Sequence, residues 1–144
     1  MTSSELENLV AIGKLKREAC RPGEFEGLVR SGEARLSDAT NATLSIESKF
    51  DLAYNAAHAL ALAALRSKGY RSDNRYVVFQ ALPHTLGLPT PIWRVLAKCH
   101  ERRNLAEYEG VVDVDERLMT DLLAAAQAVH EAVQSVAPLG HGND

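Results

Sequence analysis

The stretch SIESKFDLAYNAAHALALAALRSK, residues 45–68, decides the fold of this chain. One face at helical spacing carries Phe50, Ala53, Tyr54, Ala57, Ala61, Ala64 and Leu65. The other faces are also apolar and carry Leu52, Ala56, Ala59 and Leu62. A helix that is apolar on nearly all sides is buried on nearly all sides. We therefore expect a buried helix here, and in a chain of 144 residues we expect a second copy to cover its outer face.

Helical periodicity extends over most of the remaining chain. It predicts helices over residues 4–19, 25–39, 73–82 and 92–108, and a last helix that begins with a capping box of Asp113 and Glu116. Gly32 within the second helix indicates either a close approach of a neighbouring backbone or a kink. No segment alternates as a strand. The predicted fold is all-α, an up-down four-helix bundle with an additional N-terminal helix and a short helix before residues 92–108.

Composition places the chain among ordinary globular proteins. Apolar residues make up 46%, charged residues 24%, and the net charge is −3, so any contact with nucleic acid requires a local basic patch. Residues 1–137 are predicted to form one domain, and residues 138–144 a disordered tail. Cys20 and Cys99 lack the spacing of a disulfide framework or a zinc site. With no membrane span, signal peptide or cofactor motif, we expect a soluble cytoplasmic protein without a cofactor or metal.

Arg103 interrupts the apolar face of the helix over residues 92–108. The face is otherwise formed by Ile92, Val95, Leu96, Cys99 and Ala106. A guanidinium facing a core costs free energy unless it is paired or opens onto a cleft. The interruption therefore points to a functional site around Arg103.

Polar side chains accompany Arg103 at helical spacing. His100, Asn104 and Glu107 form a strip with it, Tyr108 lies further round the helix, and positive charge nearby comes from Arg94, Lys98 and Arg102. Such a group can bind a phosphate, because arginine gives planar bidentate donors and histidine can exchange a proton. The alternative is an ordinary pair of Arg103 with Glu107, worth about 0.2–0.5 kcal/mol.

Other polar residues have structural explanations. His58 flanks a buried face, which favours a core histidine over a ligand or base. Trp93 is expected in the core or at an interface rather than as a stacking platform. A basic cluster around Gly69 either stabilises a helix C-terminus or extends a basic surface toward RNA; it comprises Arg66, Lys68, Arg71 and Arg75.

Residues 25–133 resemble the HEPN superfamily of small helical bundles. The resemblance rests on the Ala-rich helices, on AYNAAHALALAALRSKGY at residues 53–70 and on HERRNLAEYEG at residues 100–110. It implies a homodimer in which two copies of an R-x(4–6)-H motif line one cleft. It also implies metal-independent endoribonuclease activity, or binding of RNA or nucleotides, with a nucleotidyltransferase-type or antitoxin protein as partner.

The resemblance assigns Arg103 as the motif arginine and Asn104 as the polar residue after it. The motif histidine is absent, and Tyr108 stands in its region, while His100 lies one turn before Arg103. Histidine suits proton transfer near neutral pH because its unperturbed pKa is about 6.5, whereas that of tyrosine is about 10.

Three functions follow from these residues. The leading hypothesis is binding of RNA or a nucleotide phosphate, with weak or no catalysis, in a cleft of Arg103, Asn104 and Tyr108. The second is an endoribonuclease of toxin–antitoxin type in which His100 or Tyr108 replaces the motif histidine. The third is a non-catalytic dimerisation module in which Arg103 fixes the interface. Arg102, Glu107 and Lys98 complete the predicted ligand-binding residues.

Overall fold

A computed structural model describes residues 4–110 and 113–136. In these ranges the elements are α1 (Ser4–Ala11), β1 (Lys16–Arg17), α2 (Glu24–Ala39), α3 (Ile46–Ser67), β2 (Tyr70–Arg71), α4 (Arg75–Gln80), α5 (Leu82–Thr85), α6 (Thr90–Glu109) and α7 (Glu116–Val133). The domain is all-α, as the sequence predicts, apart from a two-residue ladder between β1 and β2. The predicted tail, residues 138–144, lies outside the described residues.

Helix α3 forms the centre of the bundle. Its first turn is capped by Ser45, whose side chain accepts a hydrogen bond from the backbone N–H of Ser48. Gly69, with φ of 88°, follows its last turn. The long helices α2 and α7 and the short α4 and α5 all pack against it, and α6 packs on α4 and α7. The apolar residues of α3 are therefore buried on several faces at once.

This packing changes the argument for a dimer. The chain's own helices cover most of the apolar surface that the sequence assigns to a second copy, and Ala56 and Ala59 are buried without one. Leu52 and Leu62 are the α3 leucines that stay partly exposed. The homodimer consequently remains a prediction of the resemblance and loses its support from α3.

Gly32 marks a close approach of α2 to α3. A Cβ atom built on Gly32 would lie 2.6 Å from Cγ of Leu60 and 3.2 Å from the carbonyl oxygen of Ala56. A Cβ contact of 2.6 Å essentially never occurs in real structures, so any larger residue would require Leu60 or the two helices to shift. Of the two explanations for Gly32, the close approach is correct.

The predicted helix boundaries need three corrections. The first helix ends at Ala11, and Lys16 and Arg17 pair antiparallel with Arg71 and Tyr70, because Gly13 adopts φ of 80° and turns the chain. The helix predicted over residues 73–82 is two helices, and Pro83 lies in the first turn of the second, where its missing N–H costs nothing.

The third correction concerns the cap of α7. Asp115, not Asp113, is the N-cap, and its carboxylate accepts a hydrogen bond of 2.8 Å from the N–H of Leu118. The spacing of Asp113 and Glu116 imitates a capping box, but the helix begins two residues later. No helix in the described part of the chain is long and apolar enough to cross a bilayer.

Candidate functional site

The candidate site is built around the buried side chain of Tyr54, on α3. Its ring stacks on Phe50 with 6.4 Å between centroids and meets the edge of Phe79 at 5.9 Å. The hydroxyl lies 2.8 Å from Nδ1 of His100, on α6. We call Tyr54 and the polar residues around it the Tyr54 cluster; the others are Asp51, Asn55, Arg75, His100, Arg103 and Asn104.

Two guanidinium groups pack against the ring of Tyr54. Cζ of Arg103 lies 5.2 Å from the ring centroid and Cζ of Arg75, on α4, lies 5.5 Å from it. Both distances fall within the range of cation–π attraction, which is stronger where water is partly excluded. The cluster thus brings two fixed positive charges to one aromatic surface at the edge of the core.

Each guanidinium is also held by a side chain of α3. Nη1 of Arg75 donates a hydrogen bond of 3.0 Å to Oδ1 of Asn55, and Nε of Arg103 donates one of 3.4 Å to Oδ1 of Asp51. The carboxylate of Glu107 approaches Nη1 of Arg103 at 3.9 Å. The side chain of Arg103 is 32% exposed, so its place in an apolar stripe is explained by packing on Tyr54 with the charged end open to solvent.

His100 links the buried and exposed parts of the cluster. Its Nδ1 contacts Tyr54, and its Nε2 lies 3.2 Å from Nδ2 of Asn104. Burial, together with the charges of Arg75 and Arg103, lowers the pKa of His100 from its usual value. The imidazole is therefore neutral at pH 7, oriented by one neighbour at each nitrogen.

His58 lies beside the cluster as a core residue. It meets the ring of Phe79 edge-on at 5.9 Å, and burial lowers its pKa to about 4. Burial is the largest cause of this lowered pKa, and Arg75, His100 and Arg103 contribute to it in the same direction. This position agrees with the interpretation of His58 as a core histidine.

The structure brings together only part of the predicted site. His100, Arg103 and Asn104 meet in the Tyr54 cluster, with Glu107 at its rim. Arg102 instead donates a hydrogen bond of 2.8 Å to the carbonyl oxygen of Asp113.

The two remaining predicted residues lie away from the ring of Tyr54. Lys98 lines a separate groove between α4 and α6. Tyr108 is 90% exposed, and its side chain makes no hydrogen bond or ring contact with any residue in the described ranges. Their functional roles stay predictions.

Sequence reasoning missed Tyr54 and Arg75 as members of the site. A signal for Tyr54 exists, because a tyrosine hydroxyl inside an apolar stripe needs a hydrogen-bond partner when it is buried. Arg75 stands in the basic cluster after Gly69, and nothing in the sequence separates it from its neighbours. Only the packing of α4 on α3 brings its guanidinium to Tyr54.

Arg66, from the same basic cluster, has a structural role. Its side chain is completely buried and donates hydrogen bonds to the carboxylate of Glu24 at 2.7 Å and to the carbonyls of Glu18, Ala19 and Tyr70. The pairing with Arg66 lowers the pKa of Glu24 to about 2. Arg66 therefore ties the segment around β1 to the end of α3 and does not line the Tyr54 cluster.

The Tyr54 cluster combines the groups that bind and polarise a phosphate. Two guanidinium groups supply positive charge and N–H donors, partly offset by the carboxylates of Asp51 and Glu107, and the imidazole of His100 contacts Asn104. Within residues 4–110 and 113–136, no three His, Cys, Asp or Glu side chains converge as ligands for a metal ion. Comparison of the chain with models of protein families, with characterised proteins and with solved structures gives no match.

Proposed function

We propose that the chain binds RNA or a nucleotide through a phosphate held at the Tyr54 cluster, between Arg75 and Arg103. The observation that carries the proposal is the placement of both guanidinium groups on the ring of Tyr54. A guanidinium has five N–H donors, and the bond to Asp51 occupies only Nε of Arg103. Planar pairs of N–H donors match the geometry of phosphate oxygens.

The resemblance to the HEPN superfamily supports the same ligand. It assigns Arg103 and Asn104 to the motif, and both belong to the Tyr54 cluster. The tyrosine of the proposed site is then Tyr54, which contacts His100 and Arg103, in place of Tyr108. A homodimer and a nucleotidyltransferase-type or antitoxin partner remain proposals from the resemblance alone. A cytoplasmic location is also proposed, supported by the two free thiols of Cys20 and Cys99.

The test is RNA binding by matched arginine variants. Fluorescence anisotropy of a labelled single-stranded RNA at low salt compares wild type with Arg103→Ala, Arg75→Ala and Arg35→Ala. Arg35 is an exposed arginine of α2 that contacts Ser31, one turn away, and serves as the control. We expect at least about tenfold weaker binding for the first two variants and wild-type affinity for the third. Equal affinity in all four proteins would overturn the proposal.

A metal-independent endoribonuclease is the second candidate. The observation that favours it is the neutral imidazole of His100, held at Nδ1 by Tyr54, because a general base must be unprotonated and oriented. In this reaction Nε2 of His100, released by the amide of Asn104, would take the proton of a 2′-hydroxyl. The 2′-oxygen would attack the adjacent phosphorus, and the 5′-oxygen would leave with a proton from water. Arg75 and Arg103 would stabilise the charge on the phosphorane oxygens.

Cleavage is measured on the same RNA with a chelator present. If the second candidate is correct, a 2′,3′-cyclic phosphate accumulates with wild type and disappears with His100→Ala, while His100→Ala still binds RNA. If wild type binds the RNA but forms no cleavage product, the chain is a binding protein for that RNA and ribonuclease activity on that substrate is excluded.

A further inference from the structure

A second groove lies next to the Tyr54 cluster, between α4 and α6. It has a volume of about 280 Å³ and is lined by Tyr76, Trp93, Arg94, Ala97, Lys98 and Glu101. Two of these residues are aromatic and two are basic, a combination that recurs where proteins hold single-stranded nucleic acid. A ligand site in this groove rests on the proposed function, because it extends the same ligand beyond its phosphate.

The aromatic pair lines the groove, and Trp93 also packs partly against the hydrophobic core, as the sequence predicts. The rings of Tyr76 and Trp93 meet edge to face, with 5.9 Å between centroids and 88° between planes. In such a pair, at least one flat face is not covered by the partner ring. Tyr76 is 37% exposed although Val77 and Val78, which follow it in α4, are buried. Tyr76 therefore keeps part of its side chain open to solvent.

The charge of the groove suits a polyanion. The guanidinium of Arg94 lies over the ring of Trp93 at 6.0 Å from its centroid, and Lys98 stands one turn further along α6. Glu101 is the opposing charge, so the lining carries a net positive charge in a chain whose net charge is −3. A base stacked in the groove would have cations beside its flanking phosphates.

The groove and the Tyr54 cluster share helices α4 and α6. Trp93, Ala97, His100 and Asn104 recur at four- and three-residue spacing on α6, so they share one face. Trp93 and His100 are two turns apart, which is about 10 Å along the axis. About three nucleotides span this distance at the stacked rise of about 3.4 Å. On α4, Arg75 of the cluster directly precedes Tyr76 of the groove.

We propose that the groove of Tyr76 and Trp93 is a base-stacking subsite, which makes single-stranded RNA the ligand and not a free nucleotide or a duplex. A strand whose phosphate sits between Arg75 and Arg103 would run along α6 and stack a base on the aromatic pair. Stacking reads the flat face that every base has, so the subsite is tolerant of sequence. Paired bases are already stacked on their neighbours and cannot enter.

Trp93 is the only tryptophan of the chain, so its fluorescence reports on the groove directly. Three oligomers of equal length are titrated into the protein: a single-stranded RNA, an abasic oligomer with the same backbone, and an RNA duplex. We expect quenching of the tryptophan emission by the single strand alone, and at least about fivefold weaker affinity for the abasic oligomer. Tyr76→Ala and Trp93→Ala should lower the affinity for single strand to that for the abasic oligomer.

Two further variants separate stacking from folding. Trp93→Phe keeps an aromatic face and should retain most of the affinity, whereas Leu105→Ala, at an exposed apolar residue of the same helix, should bind as wild type does. Equal affinity for the single strand and the abasic oligomer, with unchanged emission, would overturn the stacking subsite and leave the phosphate site intact.

Other results distinguish the remaining explanations. Failure of all three oligomers to bind would overturn the proposed function as well. A wavelength of maximum tryptophan emission that shifts with protein concentration, in the absence of RNA, would assign the groove to contact with a second copy. That result would overturn the stacking subsite.

Discussion

The hydroxyl of Tyr54 lies 2.8 Å from Nδ1 of His100, and this bond joins the most buried helix of the fold to the polar strip of α6. Burial raises the pKa of Tyr54, so the phenol stays neutral and serves as a hydrogen-bonding group. A buried hydroxyl without a partner costs free energy, and His100 supplies that partner. The same bond fixes the orientation of the imidazole beside Arg103. Core packing and site geometry therefore depend on one another here.

Tyr54→Phe should separate the contribution of Tyr54 to core packing from its contribution to the geometry of the site. The variant keeps the ring on which Arg75 and Arg103 pack and removes only the hydroxyl. We expect a loss of about 1 kcal/mol in the free energy of unfolding, measured by urea denaturation, because one partly buried hydrogen bond disappears. In the RNA assay, binding should stay within a few-fold of wild type, while any cleavage should fall more strongly because His100 loses its orientation. Equal loss of binding and cleavage would contradict this division.

Arg103→Ala should lower stability by about 1 kcal/mol or less. The side chain is one-third exposed and its carboxylate partners, Asp51 and Glu107, lie at the surface, where ion pairs contribute little. The cation–π contact with Tyr54 contributes a similar small amount. Thermal and urea unfolding measure the change. A loss above about 3 kcal/mol would instead favour the hypothesis that Arg103 has a purely structural role.

The sequence predicts the fold because hydrophobic periodicity is a local signal. The segment that contains Tyr54 predicts its own helix to within a residue or two, and so does the segment that contains Arg103. One boundary was missed because the deciding interaction is non-local. The first helix ends early because Gly13 turns the chain toward a pairing with Tyr70 and Arg71, more than fifty residues away.

The same contrast between local and non-local signals applies to the candidate site. His100, Arg103 and Asn104 lie on one helix, so their spacing brings them together in the sequence as well as in space. Tyr54 and Arg75 come from two other helices, and no single sequence states which residues of separate helices meet. Tyr108 was included because helical spacing places it near Asn104 and because it stands in the region of the motif histidine, and the structure turns it to solvent.

Arg66→Met should be the most destabilising of these substitutions. It leaves the carboxylate of Glu24, which is only 19% exposed, without its main partner. Removing one member of such a buried ion pair is expected to lower the free energy of unfolding by about 3–5 kcal/mol. Adding Glu24→Gln should recover part of the loss. Arg71→Met is the control, because Arg71 pairs with Glu18 and Glu24 but is itself more exposed. A mild effect of Arg66→Met in urea denaturation would show that the network adds little to stability.

Acid should destabilise the protein in two successive steps. His58 has a pKa of about 4 in the folded state, lower than its ordinary 6.5, so the unfolded chain binds a proton first and stability falls as pH drops from 6.5 to 4. Glu24 has a pKa of about 2 instead of 4.5, so its contribution is present above pH 4.5 and is lost as pH falls toward 2. Each step amounts to at most about 3 kcal/mol.

Urea denaturation over this pH range measures both steps. His58→Leu should reduce the upper step, to which His100 also contributes, and leave the lower one, whereas Glu24→Gln should reduce the lower step and leave the upper one. If the free energy of unfolding of His58→Leu falls in parallel with that of wild type between pH 6.5 and 4, His58 is not the group responsible for the upper step.

Gly32→Ala and Gly27→Ala form a matched pair on α2. The Cβ of the first would lie 2.6 Å from Cγ of the fully buried Leu60, so α2 and α3 must separate or Leu60 must leave its rotamer, at a cost of about 1–3 kcal/mol. A Cβ on residue 27 would have no other atom within 4 Å. Gly27→Ala should therefore stabilise the helix by up to about 1 kcal/mol, because alanine has the higher helix propensity. Opposite signs in urea denaturation are expected. Stabilisation by both substitutions would show that the two helices can move apart at no cost, and that the close approach at Gly32 does not set the packing of the bundle.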